Sequence, residues 1–386
     1  MSKDNHRDHD KHRPKHWVGC DIETEYFGEE RKSGKQARKQ ASAKDRSQYK
    51  TTDQRQELKQ SKEFQGDKAA YERGRVLSIN SRGIIVDSEG KILTCSLRGS
   101  LKKDKTQFKN LVTVGDFVLF EHSSPNEGMI AHVEPRRSTL SRAENLSRRK
   151  EQLIAANIDQ VIITVSVVSP ALKSSLIDRY IIAAQKGNMQ PIIVVNKIDL
   201  LSSSDVDPEL LAQEAHTFSE LLNAYKTAGV PVIPVSSVTG EGIDLLKQVM
   251  HDKASVFSGQ SGVGKSSLIN QVTGQSLQVG GMVGKTNKGS HTTSSAQLIP
   301  LESGGWCIDT PGIKSFGVWD LDKEEIEQYF PEIFECGHKC RYPDCSHFLE
   351  EECAVMAAVE KGEISYLRYE SYLTLTQGIK EDHFRR

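Results

Sequence analysis

The stretch "SGQSGVGKSSLIN", Ser258 to Asn270, decides how the fold is read. Inside it Gly259, Gly264, Lys265 and Ser266 spell G-x-x-x-x-G-K-[ST], the spacing of a loop that wraps phosphates. Its glycines let successive backbone N–H groups turn inward round an anion, and a helix beginning at Lys265 adds the positive end of its dipole. "ASVF" before it reads as a strand and "SSLIN" after it as a helix, which is the context such a loop requires. The expected phosphate contacts are therefore Gly259, Gln260, Ser261, Gly262, Val263, Gly264, Lys265, Ser266 and Ser267. Lys265 is placed to reach the β- and γ-phosphates, and the Ser266 hydroxyl to bind Mg²⁺.

Upstream, Asn196, Lys197, Ile198 and Asp199 form N-K-x-D directly after the strand "PIIVV". Strand ends of this kind are where open α/β sheets bind ligands. The Asp199 carboxylate can accept both N1–H and the N2 amino group of guanine, and adenine supplies neither. A site built for such a match rejects the wrong base by ~10⁴. In "PVSSVTGEGIDLL" the backbone N–H of Ser237, beside Ser236, is placed to touch guanine O6. Together with the phosphate loop these motifs point to GTP.

Downstream, Asp309, Pro311 and Gly312 in "WCIDTPGI" fit D-x-x-G, with Asp309 facing Mg²⁺ through water and the Gly312 N–H facing the γ-phosphate. In "KGSHTTSSA", Lys288 to Ala296, either Thr292 or Thr293 could close the Mg²⁺ shell, and this Ser/Thr-rich loop reads as a switch. Where many GTPases place a water-orienting Gln, this chain has Ile313, which can neither donate nor accept a proton. Slow intrinsic hydrolysis is expected. His291 is the titratable group on the switch loop that could orient water once a partner fixes the loop.

The base-reading motifs precede the phosphate-reading ones, so the nucleotide domain reads as circularly permuted. Apolar strands alternate with amphipathic helices from "QVIITVSVV" onward, which predicts a parallel, doubly wound α/β sheet over residues 136–318. The helices are expected at Ser174–Lys186 and Pro208–Lys226, at "GIDLLKQVM", and from Lys265. The order also predicts that the segment beginning at Asp309 runs through "KSFGVWDLD" into the C-terminal domain, with the N-terminal barrel at the opposite end of the sheet.

At 386 residues, 37% hydrophobic, 27% charged and with a formal net charge of -1, the chain suits two or three balanced domains rather than a uniformly basic protein. No apolar run is long enough for a membrane span, and a cytoplasmic protein is expected. Residues 1–70 are too polar to bury a core and read as a disordered basic, His-rich tail. Within it Arg31 to Lys50 suits contact with RNA phosphates, and His6, His9, His12 and His16 read as a solvated run. Residues 71–135 carry five short strand patterns, "GRVLSI", "GIIVD", "KILTCSL", "DFVLFE" and "GMIAHVE", which predict a small β-barrel. An OB-fold is preferred, and an SH3-like barrel shares the pattern. "EPRRSTLSR" reads as a basic hinge after the barrel.

Residues 319–386 read as an α-helical, zinc-binding domain, with "AVMAAVEKGEISYLRYESYLTL" helical by spacing. Four of the seven cysteines fall between Cys336 and Cys353, and six possible ligands lie there: Cys336, His338, Cys340, Cys345, His347 and Cys353. In a reducing compartment that favours metal over disulfides.

From about residue 71 to the C-terminus the chain resembles the bacterial ribosome small-subunit-dependent GTPase A family. The barrel, "NKID", "GQSGVGKS", "GSHTTS", "DTPGI" and "CRYPDCSHFLEEEC" come in that family's order. The resemblance implies an OB-fold, a slow GTPase stimulated by the small ribosomal subunit, and a checkpoint role in late maturation of that subunit with binding to its rRNA. It also selects Cys340, Cys345, His347 and Cys353 as ligands of one structural Zn²⁺, leaving Cys336 and His338 as bystanders. The hydrophobic Ile313 and the loop His291 are shared traits, whereas Ser290 stands where an Arg is typical. Expected partners are GTP or GDP, the small subunit and its rRNA, with no membrane contact and a monomeric chain. A permuted GTPase serving the large subunit and a GTP-gated RNA-binding module with incidental hydrolysis are the alternatives.

Overall fold

A computed structural model describes residues 70–99, 101, 111–144, 147–274, 296–309 and 323–384. The expectations for the basic tail, and for His291, Thr292, Thr293, Gly312 and Ile313, lie outside the described residues. No helix among the described residues is long and apolar enough to cross a membrane.

The five barrel strands are β1 (Glu72–Asn80), β2 (Gly83–Ser88), β3 (Lys91–Leu97), β4 (Phe117–Ser124) and β5 (Glu127–Val133). They pair in the order β1-β2-β3-β5-β4, and β4 closes back on β1. Only β3 and β5 run parallel. This closure is that of an OB-fold barrel. Inward positions alternate with outward ones, so Val76, Val86, Leu93, Val118, Phe120 and Ile130 fill the interior.

The "EPRRSTLSR" hinge is instead the start of a ribbon, β6 (Thr139–Glu144) paired antiparallel with β7 (Ser147–Ala156). Its mostly polar strands give no hydropathy signal. Leu140, Leu153 and Ala155 are nonetheless buried, and the backbone ladder supplies the rest. Arg136, just before the ribbon, grips the fully buried Asp116 through two hydrogen bonds of 2.7 and 2.8 Å, which fixes the linker to the barrel.

Among the described residues the α/β domain has six strands: β8 (Gln160–Ser166), β9 (Gln190–Asn196), β10 (Val232–Pro234), β11 (Ala254–Gly259), β12 (Gln297–Pro300) and β13 (Trp306–Asp309). Their spatial order is β10-β9-β8-β11-β13-β12, parallel except for β12. The phosphate-loop strand β11 thus lies in the middle although it comes fourth in the chain. Every residue of β8 and β11 is buried, as the unbroken apolar runs predicted. The helices are α1 (Ser174–Lys186), α2 (Pro208–Thr227), α3 (Ile243–Met250) and α4 (Lys265–Thr273). Asp207 caps α2 by accepting from the N–H groups of Glu209 and Leu210, with Pro208 in the first turn.

The barrel does not attach at the far end of the sheet from Asp309. Its β1 pairs with β12 at Ser78↔Gln297, and β12 pairs with β13 at Gln297↔Asp309. The antiparallel strand β12 leaves an open edge, and a barrel strand covers it.

Among the described residues four helices follow: α5 (Lys323–Gln328), α6 (Pro331–Gly337), α7 (Ala354–Glu360) and α8 (Tyr366–Phe384). The single helical segment read from the sequence is broken between α7 and α8, where Gly362 takes a φ of 74° that favours glycine. Phe330, Ile333, Val355 and Tyr372 form a core with Ile182 of α1. Arg368 of α8 is buried at this junction. It hydrogen-bonds Asp178 of α1, donates to Glu332 at 2.6 Å and lies 4.2 Å from the Phe330 ring centroid. Burial opposes the charge on Arg368, but Asp178 and Glu332 more than offset it and hold the guanidinium above its usual range.

Candidate nucleotide site and Cys/His cluster

β11 ends at Gly259, and the chain turns through the loop into α4. Gly259 has φ 141°, and a Cβ there would lie 2.0 Å from the Thr164 carbonyl oxygen of neighbouring β8. Gly264, with φ 92°, lies against the Asn196 side chain, where a Cβ would come within 2.3 Å of Nδ2. Both glycines are demanded by conformation and by contact. Val263 is buried beneath the loop and anchors it, while Ser261 and Gly262 face solvent. Ser266 and Ser267 stand in the first turn of α4.

Lys265 donates from Nζ to the carbonyl oxygens of Gly259 and Gln260, at 2.7 Å each. No carboxylate pairs with it among the described residues, and burial lowers its pKa to about 8. An incoming phosphate would reverse that penalty.

Asn196, fully buried at the end of β9, joins the two halves of the site. Its Nδ2 donates to the Val263 carbonyl at 2.9 Å, and its Oδ1 accepts from the Ser237 N–H at 3.1 Å. Lys197 is left-handed at φ 65°, and its Nζ donates to the Ser169 carbonyl at 2.5 Å. Burial lowers its pKa, with Asp199 pulling the other way. Ser236 Oγ donates to Asp199 Oδ1 at 2.5 Å while accepting from the N–H groups of Val238 and Thr239. These bonds fix the position of the Asp199 carboxylate. Asp309 ends β13, two strands from β8 on the same sheet.

The sequence reading named Asn196 and Ser236 as base contacts. The structure gives them a further task, as braces for the phosphate loop and for Asp199. It adds Gln271 of α4, which donates to the Ser237 carbonyl at 3.0 Å. Nothing in the spacing distinguished Gln271 from any helical surface residue.

In the C-terminal domain, ligand atoms of Cys340, Cys345, His347 and Cys353 all lie within 4.8 Å of one another. Cys340 Sγ is 3.6 Å and Cys353 Sγ 3.5 Å from His347 Nδ1, and the two sulfurs are 3.9 Å apart. A tetrahedral ion with Zn–S of about 2.3 Å and Zn–N of about 2.0–2.1 Å sets sulfur–sulfur edges near ~3.8 Å and sulfur–nitrogen edges near ~3.6 Å. The donor set fits such an ion. Cys336 and His338 lie outside the cluster.

His347 faces the carboxylate of Glu327 with its other nitrogen, Nε2 to Oε1 at 3.4 Å. A carboxylate in that position orients the ring. Twenty residues away on a helix with several acids, Glu327 carried no signal in the sequence. Tyr369 donates to the His347 carbonyl at 2.6 Å. Burial disfavours ionised Glu350, but hydrogen bonds from Ser346, Phe348 and Leu349 outweigh it and hold the carboxyl well below the usual range. That brace shapes the turn carrying His347.

A family model described as RsgA GTPase matches residues 133–319, and one described as RsgA N-terminal domain matches residues 73–130. A protein named small ribosomal subunit biogenesis GTPase RsgA from Chlorobaculum parvum is 42% identical over 281 residues, 70% of this chain and 86% of that protein. The protein of the same name from Bacteroides fragilis is 35% identical over 298 residues, covering 77% and 93%. Among solved structures, YjeQ from Thermotoga maritima aligns with a TM-score of 0.62 at 32% identity, over 80% of this chain and 98% of its own. YloQ, described as a circularly permuted GTPase, aligns with a TM-score of 0.62 at 28% identity, over 81% and 96%.

Proposed function

The chain belongs to the RsgA GTPase family, and from that premise we propose that it is a slow GTP hydrolase, stimulated by the small ribosomal subunit, which serves as a checkpoint in that subunit's late maturation. One observation carries the reading. Asn196 ties the guanine-reading loop at Ser237 to the phosphate loop at Val263, so base and phosphates are read by one buried, hydrogen-bonded frame. A site of this kind recognises GTP as a whole rather than any triphosphate.

In this reading Asp199 accepts from the guanine edge, the Ser237 N–H faces O6, and residues Gly259 to Ser267 cradle the phosphates. Mg²⁺ is held through Ser266, Asp309 and one of Thr292 and Thr293, with the Gly312 N–H on the γ-phosphate. His291 orients the attacking water once the subunit fixes its loop, and Ile313 accounts for slow unassisted turnover. One Zn²⁺ on Cys340, Cys345, His347 and Cys353 supplies structure to the C-terminal domain and takes no part in the chemistry. The division into a 1–70 tail, a 71–135 barrel, a 136–318 nucleotide domain and a 319–386 zinc domain belongs to the same reading, as do rRNA contact, monomeric state and cytoplasmic location.

The test is GTP turnover with purified small or large subunits. Strong stimulation by small subunits alone is expected, and stimulation by large subunits or by neither overturns the reading. His291→Ala is expected to abolish the stimulated rate at unchanged GTP affinity; a fully stimulated variant removes His291 from its role.

A further inference from the structure

The parallel strands carry the nucleotide motifs at their C-terminal ends, and at their N-terminal ends an open cavity of about 420 Å³ lies between barrel and sheet. Asp159, Gln190, Lys253 and Trp306 line it at or just before the starts of β8, β9, β11 and β13, with Arg75 from β1 and Arg137 from the linker. A seven-residue strand spans about 20 Å, so this cavity is separate from the GTP site. It is also off the β2–β3 face that OB-folds commonly use for oligonucleotides.

The cations here are crowded and incompletely matched. Arg73, Arg75 and Arg137 place their guanidinium carbons 4.1, 5.1 and 6.0 Å from the Phe117 ring centroid, and Arg75 also lies 5.6 Å from that of Trp306. Arg73 is held by Glu134 at 2.9 Å. Arg75 donates one bond to the Asn157 carbonyl, but its buried Nε has no acceptor among the described residues. Arg137 comes only within 4.0 Å of Asp159, whose other oxygen already accepts from the Ala254 N–H. The second carboxylate, Asp252, lies 3.4 Å from His251 Nε2 with its side chain largely exposed. Lys253 has no ion pair among the described residues. Burial draws the Arg75 pKa down to about 10; Asp159 opposes this and the charges of Arg137 and Arg73 add to it. An anion would relieve all three cations at once.

We propose that this cavity receives a backbone phosphate of an RNA chain, gripped jointly by Arg75 and Arg137 from the barrel side and Lys253 from the sheet. Interleaved arginines and aromatic rings, open to solvent and continuous with the exposed Arg73 and Arg137, suit a polynucleotide passing across the junction rather than an enclosed small nucleotide. The inference rests on the small-subunit reading above and assigns part of its RNA contact to this place.

The test uses the full chain carrying Arg137→Gln and Lys253→Gln, two residues outside the nucleotide site, with a fluorescein-labelled oligouridylate of about twelve nucleotides as probe. Affinity is expected to fall about tenfold or more, and the slope of log K against log salt to flatten by about 0.7, the share of one single-strand phosphate contact. GTP affinity stays at its wild-type value. Arg75→Gln is expected to act in the same direction, but it also breaks the bond to Asn157, so the double variant carries the decision. Unchanged RNA affinity and salt slope in the double variant overturn the proposal. So does inorganic diphosphate that displaces the oligouridylate from wild type at micromolar concentration, which would make this a small-anion site. If the oligouridylate result holds while wild type ignores small subunits, the parent reading falls and the phosphate site stands.

Discussion

In the nucleotide pocket the ligand-facing groups are main-chain N–H groups and a few braced side chains, held by strands β8, β9 and β11 that are buried along nearly their whole length. In the Cys/His cluster they are three thiols and an imidazole on the stretch between α6 and α7, which has neither strand nor helix. The first site inherits its geometry from the buried core of these strands. Asn196, Gly264 and Ser236 are already interlocked. The second sits on the core of Phe330, Ile333, Val355 and Tyr372, and a metal held there would tie its four donors into one unit.

The largest effect expected from that difference follows metal removal. Structural zinc contributes about 10–16 kcal/mol in small domains. Chelation or Cys345→Ser is therefore expected to empty the site, seen as zinc content, and to open residues 338–353 to protease while GTP still binds. A variant that keeps its zinc would mean that Cys345 is not a ligand.

Within the pocket, Asp199→Ala should leave the fold intact and erase the preference for GTP over ATP, a change of ~10⁴ if the carboxylate reads the base edge. Competition titrations with the two nucleotides measure it. Retained selectivity would transfer base reading to the main chain around Ser237.

The two regions meet at Arg368 and Asp178, which makes their junction the next place to cut. Arg368→Met leaves Asp178 buried without its cation, and loss of one partner of such a pair costs about 3–5 kcal/mol. Thermal unfolding should show that loss, and pairing the change with Asp178→Leu should recover most of it. A single variant as stable as wild type would show that the pair carries little of the docking.

The smallest effect concerns pH. Lys265 is charged below its pKa of about 8, and phosphate binding needs the ammonium and raises its pKa in the complex. GTP affinity is thus full below about pH 8 and falls as pH rises through it, by at most about tenfold per unit. Titrations with a fluorescent nucleotide between about pH 7 and 9 would detect this. A flat profile there would mean that the phosphates reach Lys265 without exchanging its Gly259 and Gln260 partners.

Much of the fold was legible in local pattern. The helix at Ser174–Lys186 and the start of α4 at Lys265 agree with their periodicity and caps, because an amphipathic stripe and a glycine boundary are local properties. The ribbon β6–β7 was missed because its strands are stabilised by a partner strand and by a few buried apolar residues, Leu140, Leu153, Ala155 and Ala156, amid polar ones. Likewise β12 is four residues long, and its identity as an edge strand depends on β13 on one side and β1 on the other. At the sites, motif spacing drew together the loop residues and the Cys/His set, but Glu327 and Gln271, which contact them, come from other turns of chain.

By itself the sequence determined the phosphate loop, the guanine motif, the permuted order and the pool of metal ligands, since each is a matter of residue type and short spacing. Only the tertiary structure decided that Asn196 ties the Ser237 turn to the loop at Val263, that Arg368 docks the C-terminal helices on α1, and that the barrel completes the sheet at β12 beside Asp309. Such contacts join residues tens to hundreds of positions apart. Their energies depend on burial and on the exact partner, and neither quantity exists until the chain has packed.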